Sequence, residues 1–144
     1  MSLIIEPIAT DSDRYRQSVD LRRAVLRTPL GLDFTEAQLS EERDHWHLAA
    51  FLDQALVGTV ILAPYGPDTL KLRQMAVAPS ARGKGIGRAL LKTAEALAQS
   101  MKARQIKLAA RVSAQAFYLK NGYSVLGDVY TEVTIDHIDM IKLL

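Results

Sequence analysis

Runs of apolar residues, separated by short polar segments, predict an α/β fold. Strands are expected at residues 3–5, 45–52, 55–62, 70–77, 106–112, 123–130 and 135–143. Helices are expected at residues 13–27, from Thr35 to about Arg43, at 86–101 and at 114–120. The order is therefore β-α-α-β-β-β-α-β-α-β-β, which predicts one domain with a mixed, mostly antiparallel sheet and helices on both faces.

The lengths of the connections predict how neighbouring strands pair. The links between the three strands from residue 45 to residue 77 are too short for crossovers, so these strands should be antiparallel. The strands at 70–77 and 106–112 are joined through a helix, and a right-handed crossover would make them parallel neighbours. The last strand, 135–143, is expected to be an edge at which a second copy could pair, so a homodimer is an open prediction.

A glycine-rich loop precedes the most regular helical pattern of the chain. Its sequence, with the base that follows it, is Arg82-Gly83-Lys84-Gly85-Ile86-Gly87-Arg88. Glycine lets the backbone approach a ligand closely, and the N–H groups at a helix start favour negative charge. The loop therefore predicts a phosphate-bearing cofactor, although a simple turn between strand and helix is the competing interpretation.

Two other nucleotide-binding loops fail on residue identity. A dinucleotide fingerprint that starts at Gly83 and Gly85 would need a third glycine where Arg88 stands. A P-loop requires Ser or Thr after Gly-Lys, and Gly85 occupies that place.

Composition excludes several classes of protein. The 144 residues are 49% hydrophobic and 24% charged with a net charge of +2, typical of a globular domain rather than of a protein that coats nucleic acid. The absence of cysteine excludes disulfides, thiolate metal sites and a cysteine nucleophile. No metal site is expected, and with no membrane-length apolar segment and no basic leader the default expectation is a cytoplasmic protein.

The spacing Arg82-x-x-Gly85-x-Gly87, together with the segments 72–77 and 114–123, resembles the GNAT superfamily of acetyl-CoA-dependent N-acetyltransferases. The resemblance covers nearly the whole chain and implies a GNAT-like sheet. It also implies that acetyl-CoA donates an acetyl group to a small-molecule or peptide amine, by direct attack in a ternary complex. A non-catalytic acyl-CoA-binding module is the alternative, and a regulatory domain for another nucleotide is a weaker one.

The resemblance also implies which residues would hold the cofactor. The pyrophosphate would lie on the backbone N–H groups of the loop, formed by Arg82, Gly83, Lys84, Gly85, Ile86, Gly87 and Arg88. The strand before it would pair with the pantetheine arm and polarise the thioester carbonyl through Met75, Ala76 and Val77. Ordinary sheet pairing is the alternative for these three residues.

Tyr118 is the catalytic residue that the resemblance implies. Its counterpart in the family protonates the departing thiolate, a step that a phenol can perform. Packing of Tyr118 in an aromatic cluster with Phe117 and Tyr123 is the alternative. Ser113 stands where many relatives carry Asn, and we interpret it mainly as a helix cap.

The acceptor side is less determined by the sequence. Glu132 and His137 are the candidates for substrate contact or general base, although a structural histidine explains His137 equally well. Glu41 and Glu42 are more typical of a solvated helix end. The first predicted helix carries five arginines, Arg14, Arg16, Arg22, Arg23 and Arg27. They indicate either a carboxylate-bearing substrate or a solvent-facing surface.

Overall fold

A computed structural model describes residues 2–144 of the chain. Seven strands form one sheet: β1 Leu3–Ile8, β2 Trp46–Leu52, β3 Ala55–Gly66, β4 Thr69–Val77, β5 Gln105–Arg111, β6 Ser124–Glu132 and β7 Ile135–Leu143. Four α-helices accompany it: α1 Asp13–Arg22, α2 Glu36–Glu41, α3 Ile86–Ser100 and α4 Gln115–Lys120. The spatial order of the strands is β1-β2-β3-β4-β5-β7-β6.

The predicted element order and strand directions are confirmed. β4 and β5 are parallel, and every other neighbouring pair in the sheet is antiparallel. The Thr35 side chain accepts from the Gln38 N–H while the Gln38 side chain accepts from the Thr35 N–H, so α2 begins with the expected capping box. The first helix is shorter than predicted, since it ends at Arg22 and continues as a π-helical turn, Arg23–Arg27.

The sheet separates two apolar clusters. Leu90 and Ala94 of α3 and Tyr118 of α4 pack on one side, against alternate residues of β2 to β5 and β7. On the other side Tyr15 and Val19 of α1 pack with residues of β1 and β2, and Leu39 of α2 joins them. These two sides are called the α3 face and the α1 face below.

Gly58 sets how closely α3 packs on the sheet. A Cβ at this position would lie 2.9 Å from Cδ1 of Leu90 and 3.2 Å from Cγ2 of Ile86. Both of those residues are buried in the core. Only glycine therefore lets the first turns of α3 pack this closely against β3.

The expectation that the last strand is an edge is wrong. β7 pairs with β5 on one side and with β6 on the other, so β6 is the edge strand. The reason is packing, because Ile138 and Met140 of β7 are buried in the core whereas every residue of β6 is exposed. A homodimer remains a prediction, and the two edge strands of the sheet are β1 and β6.

Candidate active site

The two parallel strands separate before they end. β4 pairs with β5 only from Thr69–Gln105 to Leu72–Leu108. Beyond that point no pairing between the two strands occurs in residues 2–144, and a cavity of about 310 Å³ opens there. The cavity is lined from both faces of the sheet by residues of the first helical segment, α2, β4, β5, α4 and the β6–β7 hairpin.

A bulge in β4 accompanies the separation. Thr59 of β3 pairs with Ala76 and Ile61 pairs with Arg73, so two residues of β4 stand opposite one residue of β3. Gln74, one of the two, has a φ of +54°. A bulge bends its strand, and a non-glycine residue in the left-handed region has to be held there by its surroundings.

A buried polar network provides that support. Arg22 Nη1 donates to Gln74 Oε1 at 2.7 Å and to Glu42 Oε2 at 3.0 Å. Tyr15 Oη donates to Glu42 Oε1 at 2.7 Å. Burial alone would raise the pKa of Glu42, but the hydrogen bonds from Arg22 and Tyr15 lower it, so the carboxylate is held ionised.

The interpretation of Glu42 as part of a solvated helix end is therefore wrong, and Arg22 does not face solvent. Glu42 is 2% exposed and Arg22 is fully buried. A signal was present in the sequence, because Arg22 follows the apolar stripe of Tyr15 and Val19 at helical spacing.

The glycine loop adopts a backbone conformation that favours glycine. Gly83 and Gly85 have φ values of +78° and +75°, and within residues 2–144 no atom beyond the adjoining residues lies within 4 Å of where their Cβ atoms would stand. α3 begins directly afterwards with no side-chain cap. Within the described part of the chain, the N–H groups of residues 83–88 donate to no other backbone group. The loop therefore combines unpaired donors, open space and the exposed bases Arg82, Lys84 and Arg88.

Val77 is the best placed donor of the strand before the loop. The Ala78 N–H donates to the Val57 carbonyl at 2.7 Å, so residue 78 faces β3. Successive residues of a strand direct their N–H groups to opposite sides. The N–H of Val77 therefore faces the gap towards β5, whereas Ala76 faces β3, where it pairs with Thr59.

Tyr118 lies on α4 and lines the cavity from the α3 face. It is 8% exposed, and burial raises its pKa to about 12, so the phenol retains its proton at neutral pH. Its ring also packs edge-on against Phe117 and Tyr123, with centroids 5.1 and 5.7 Å away. The aromatic cluster is therefore present, and it holds the protonated phenol of Tyr118 at the cavity.

Ser113 does not cap α4. The cap position is Ala114, which has no side-chain hydrogen bond, and Ser113 lies within the preceding 3₁₀ turn, Val112–Ala114. The extra turn between β5 and α4 shifts the start of the helix, which the sequence pattern did not reveal.

His137 and Glu132 meet at the cavity on the α1 face. His137 Nδ1 lies 2.9 Å from the Ile135 carbonyl oxygen, an acceptor, so Nδ1 carries the proton. In the neutral ring Nε2 therefore has a free lone pair, and it lies 4.0 Å from Glu132 Oε2. The cross-strand neighbour of His137 on β5 is Arg111.

The arginines of the first helical segment divide into distinct groups. Arg14, Arg16 and Arg23 form exposed ion pairs with nearby carboxylates. Arg27 alone among the five lines the cavity, where Arg73 of β4 and Arg111 of β5 join it. Arg73 and Arg111 cannot be recognised as neighbours from the sequence, because nothing local marks two arginines on separate strands as a pair.

Comparison with protein families decides the relationship. Residues 11–123 match the acetyltransferase (GNAT) family, which is more than half of the 144 residues. The chain belongs to the GNAT family. Solved structures of this fold match it over nearly its full length.

An acyl-CoA N-acyltransferase from Pseudomonas aeruginosa is 22% identical with a TM-score of 0.83, covering 98% of this chain and 99% of that one. A GNAT family acetyltransferase from Elizabethkingia anophelis, with acetyl-CoA bound, is 19% identical with a TM-score of 0.76, covering 99% and 98%. An acetyltransferase from Bacillus subtilis, in complex with CoA, is 20% identical with a TM-score of 0.78, covering 99% of each chain. At these identities the likeness is one of fold.

No helix in residues 2–144 has the length and apolar character needed to cross a membrane. The same residues contain no group of three or more histidine, aspartate or glutamate side chains placed to hold a metal ion.

Proposed function

We propose that this GNAT family member is an N-acetyltransferase that moves an acetyl group from acetyl-CoA to an amine by direct attack in a ternary complex. The observation that carries the proposal is the opening between β4 and β5, a cavity lined by Tyr118 and by Met75 of the strand that leads into the glycine loop. Acetyl-CoA supplies an activated thioester, and the described residues fit its parts.

The anionic end of the donor fits the glycine loop. Unpaired N–H groups and the dipole of the 15-residue helix α3 favour a pyrophosphate there, and the exposed bases Arg82, Lys84 and Arg88 add positive charge. Gly83 and Gly85 leave open space for the phosphate groups, while Ile86 and Gly87 contribute N–H groups of the first helical turn.

The extended arm fits the open side of β4. Beyond the bulge that side of the strand has no pairing partner among residues 2–144, so an elongated ligand can add to it as a further strand. Val77 directs its N–H to that side, where it can bond the arm or polarise a carbonyl, and Met75 lines the cavity before it. Ala76 maintains the pairing of this segment with β3.

The chemistry needs an acid and a base, and the two candidates lie on opposite faces of the sheet. As the amine nitrogen bonds to the acetyl carbon and the C–S bond breaks, Tyr118 Oη gives its proton to the departing sulfur. The excess proton of the amine passes to His137 Nε2, directly or through a water, and the Glu132 carboxylate stabilises the resulting imidazolium. The departing sulfur thus gains the proton that Tyr118 loses, and His137 gains the proton that the amine loses.

Release of free thiol from acetyl-CoA, measured against a panel of amines, amino acids and peptides, tests the proposal. Amine-dependent thiol release with an N-acetylated product in equal amount is expected. Binding of acetyl-CoA without thiol release for any acceptor in the panel would contradict catalysis and favour the non-catalytic acyl-CoA-binding module.

A further inference from the structure

Three arginines from three separate elements meet on the α1 face of the cavity. They are Arg27 from the π-helical turn, Arg73 from β4 and Arg111 from β5, and all three are half-buried. Arg27 Nη1 and Arg111 Nη2 donate to the same acceptor, the Leu26 carbonyl oxygen, at 3.2 and 2.9 Å. One oxygen therefore holds two guanidinium groups side by side.

This cationic group lacks a matching anion. Within residues 2–144 no ion pair includes Arg27, Arg73 or Arg111. Burial lowers the pKa of Arg27, and the positive charges of Arg111, Arg22 and Arg73 lower it further. Burial also lowers the pKa of Arg111. Like charges placed together in a partly desolvated site are unfavourable unless an anion joins them.

Glu132 does not supply that anion. Its charge raises the pKa of Arg27, so it is near enough to act on the arginine, yet the side chain with which it pairs is His137. The cavity thus has two chemically different ends on this face: a pair of guanidinium groups with Arg73 close by, and a carboxylate beside an imidazole. An amine that also carries a carboxylate matches both ends, with its ammonium towards Glu132 and its carboxylate towards the arginines.

We propose that the acceptor is a small amine that carries a carboxylate, of the free amino acid type, and that Arg27, Arg73 and Arg111 bind this carboxylate. The inference rests on the proposed acetyl transfer and names the acceptor class for the same site. A cavity of about 310 Å³ is near the lower limit for small-molecule sites, and it favours a small acceptor over a folded protein.

The test compares acceptors that differ only in the carboxylate. A set of L-amino acids, their amides and the corresponding decarboxylated amines is assayed by thiol release at saturating acetyl-CoA, with acidic peptides and a polyamine as further arms. Loss of the carboxylate is expected to lower kcat/KM by about 10- to 100-fold, as for loss of hydrogen bonds to a charged group. Equal use of acids and amides, or a preference for the polyamine or the peptides, would overturn the inference.

Arg73→Gln is the most informative variant. Within residues 2–144 the Arg73 side chain makes no hydrogen bond, so its replacement should not disturb the fold. It should raise KM for amino acids about tenfold or more, with little change for the amides and in the affinity for acetyl-CoA. Arg104→Gln, a change at an exposed arginine outside the cavity, is the matched control and should behave as the wild type. Equal KM values for Arg73→Gln and the control would contradict the inference.

A binding measurement separates this inference from the proposed function. Calorimetry compares an N-acetyl amino acid with its amide, each added to the complex of the protein with CoA, so that no turnover is required. Tighter binding of the acid, lost in Arg73→Gln, supports the inference even if the acid–base roles are wrong. If acetyl-CoA binds and amines are acetylated while acid and amide bind equally, the inference alone fails.

Discussion

The α3 face and the α1 face contribute to the same cavity through different physical means. On the α3 face the residues are mostly apolar and tightly packed, and the proposed chemistry uses backbone N–H groups and one phenol. On the α1 face a buried ion pair, Arg22 with Glu42, supports the bulge, and charged side chains line the opening. In the proposed function, donor recognition depends on backbone shape and acceptor recognition on side-chain charge, so substitutions should alter one without the other.

The largest expected effect is the loss of stability on breaking the buried ion pair of the α1 face. Arg22→Leu leaves the Glu42 carboxylate buried without its cation, which costs about 3–5 kcal/mol in the free energy of unfolding. Urea unfolding followed by circular dichroism measures this.

Lys142→Leu is the matched change on the α3 face. Glu95 there would keep a second cation, since Lys92 Nζ lies 3.5 Å from its Oε1, and Lys142 is 20% exposed whereas Arg22 is fully buried. The loss should therefore be clearly smaller. Similar losses for the two variants would show that the faces do not differ in this way.

Tyr118→Phe should produce the next largest effect, and it concerns chemistry rather than stability. Removal of the proposed general acid is expected to lower kcat by about 100-fold or more, with little change in affinity for acetyl-CoA. Stopped-flow or steady-state thiol release gives kcat, and calorimetry gives the affinity.

Tyr123→Phe controls for loss of a buried hydroxyl on the same face. Its hydroxyl bonds Glu95, so this change should lower stability while leaving kcat near that of the wild type. An unchanged kcat in Tyr118→Phe would leave only the packing role for Tyr118.

Gly85→Ala should have a smaller effect that isolates the backbone of the loop. An L-residue at a φ of +75° costs about 1–2 kcal/mol, and a shift of the loop should also weaken acetyl-CoA binding. Gly31→Ala is matched, since Gly31 has a φ of +70° and equally open surroundings but lies far along the chain from the loop. Equal stability losses with weaker acetyl-CoA binding only in Gly85→Ala are expected; unchanged binding in both would remove the loop from the donor site.

The predictability of the two faces from sequence differs for a physical reason. The glycine loop, the apolar stripe of α3 and the strand before them are contiguous, so local spacing is sufficient to predict them. The arginine group is assembled from residues 27, 73 and 111. The arrangement of β4 and β5 places residues 73 and 111 at one opening, and the π-helical turn adds residue 27. Local patterns carry no information about such non-local neighbours.

Two smaller errors follow from the same limit. The pattern predicted β7 correctly as a strand but not its place inside the sheet. The order of strands depends on which strand of the β6–β7 hairpin packs on the core, and that strand is β7, through Ile138 and Met140. Glu42 looked like a solvated helix end because its partner Arg22 lies 20 residues away. The spacing of Arg22 after Val19 could have indicated its burial, but not its partner.

Thermal unfolding with nucleotides tests most directly whether the α3 face is built for acetyl-CoA. A ligand that binds only the folded chain stabilises it by about 2.7 kcal/mol at a hundred times its dissociation constant, so acetyl-CoA should raise Tm by several degrees. ATP and NAD at the same concentration should raise it much less, and Gly85→Ala should reduce the shift with acetyl-CoA. No rise in Tm with acetyl-CoA, or equal rises with all three compounds, would contradict the assignment of the glycine loop to this donor.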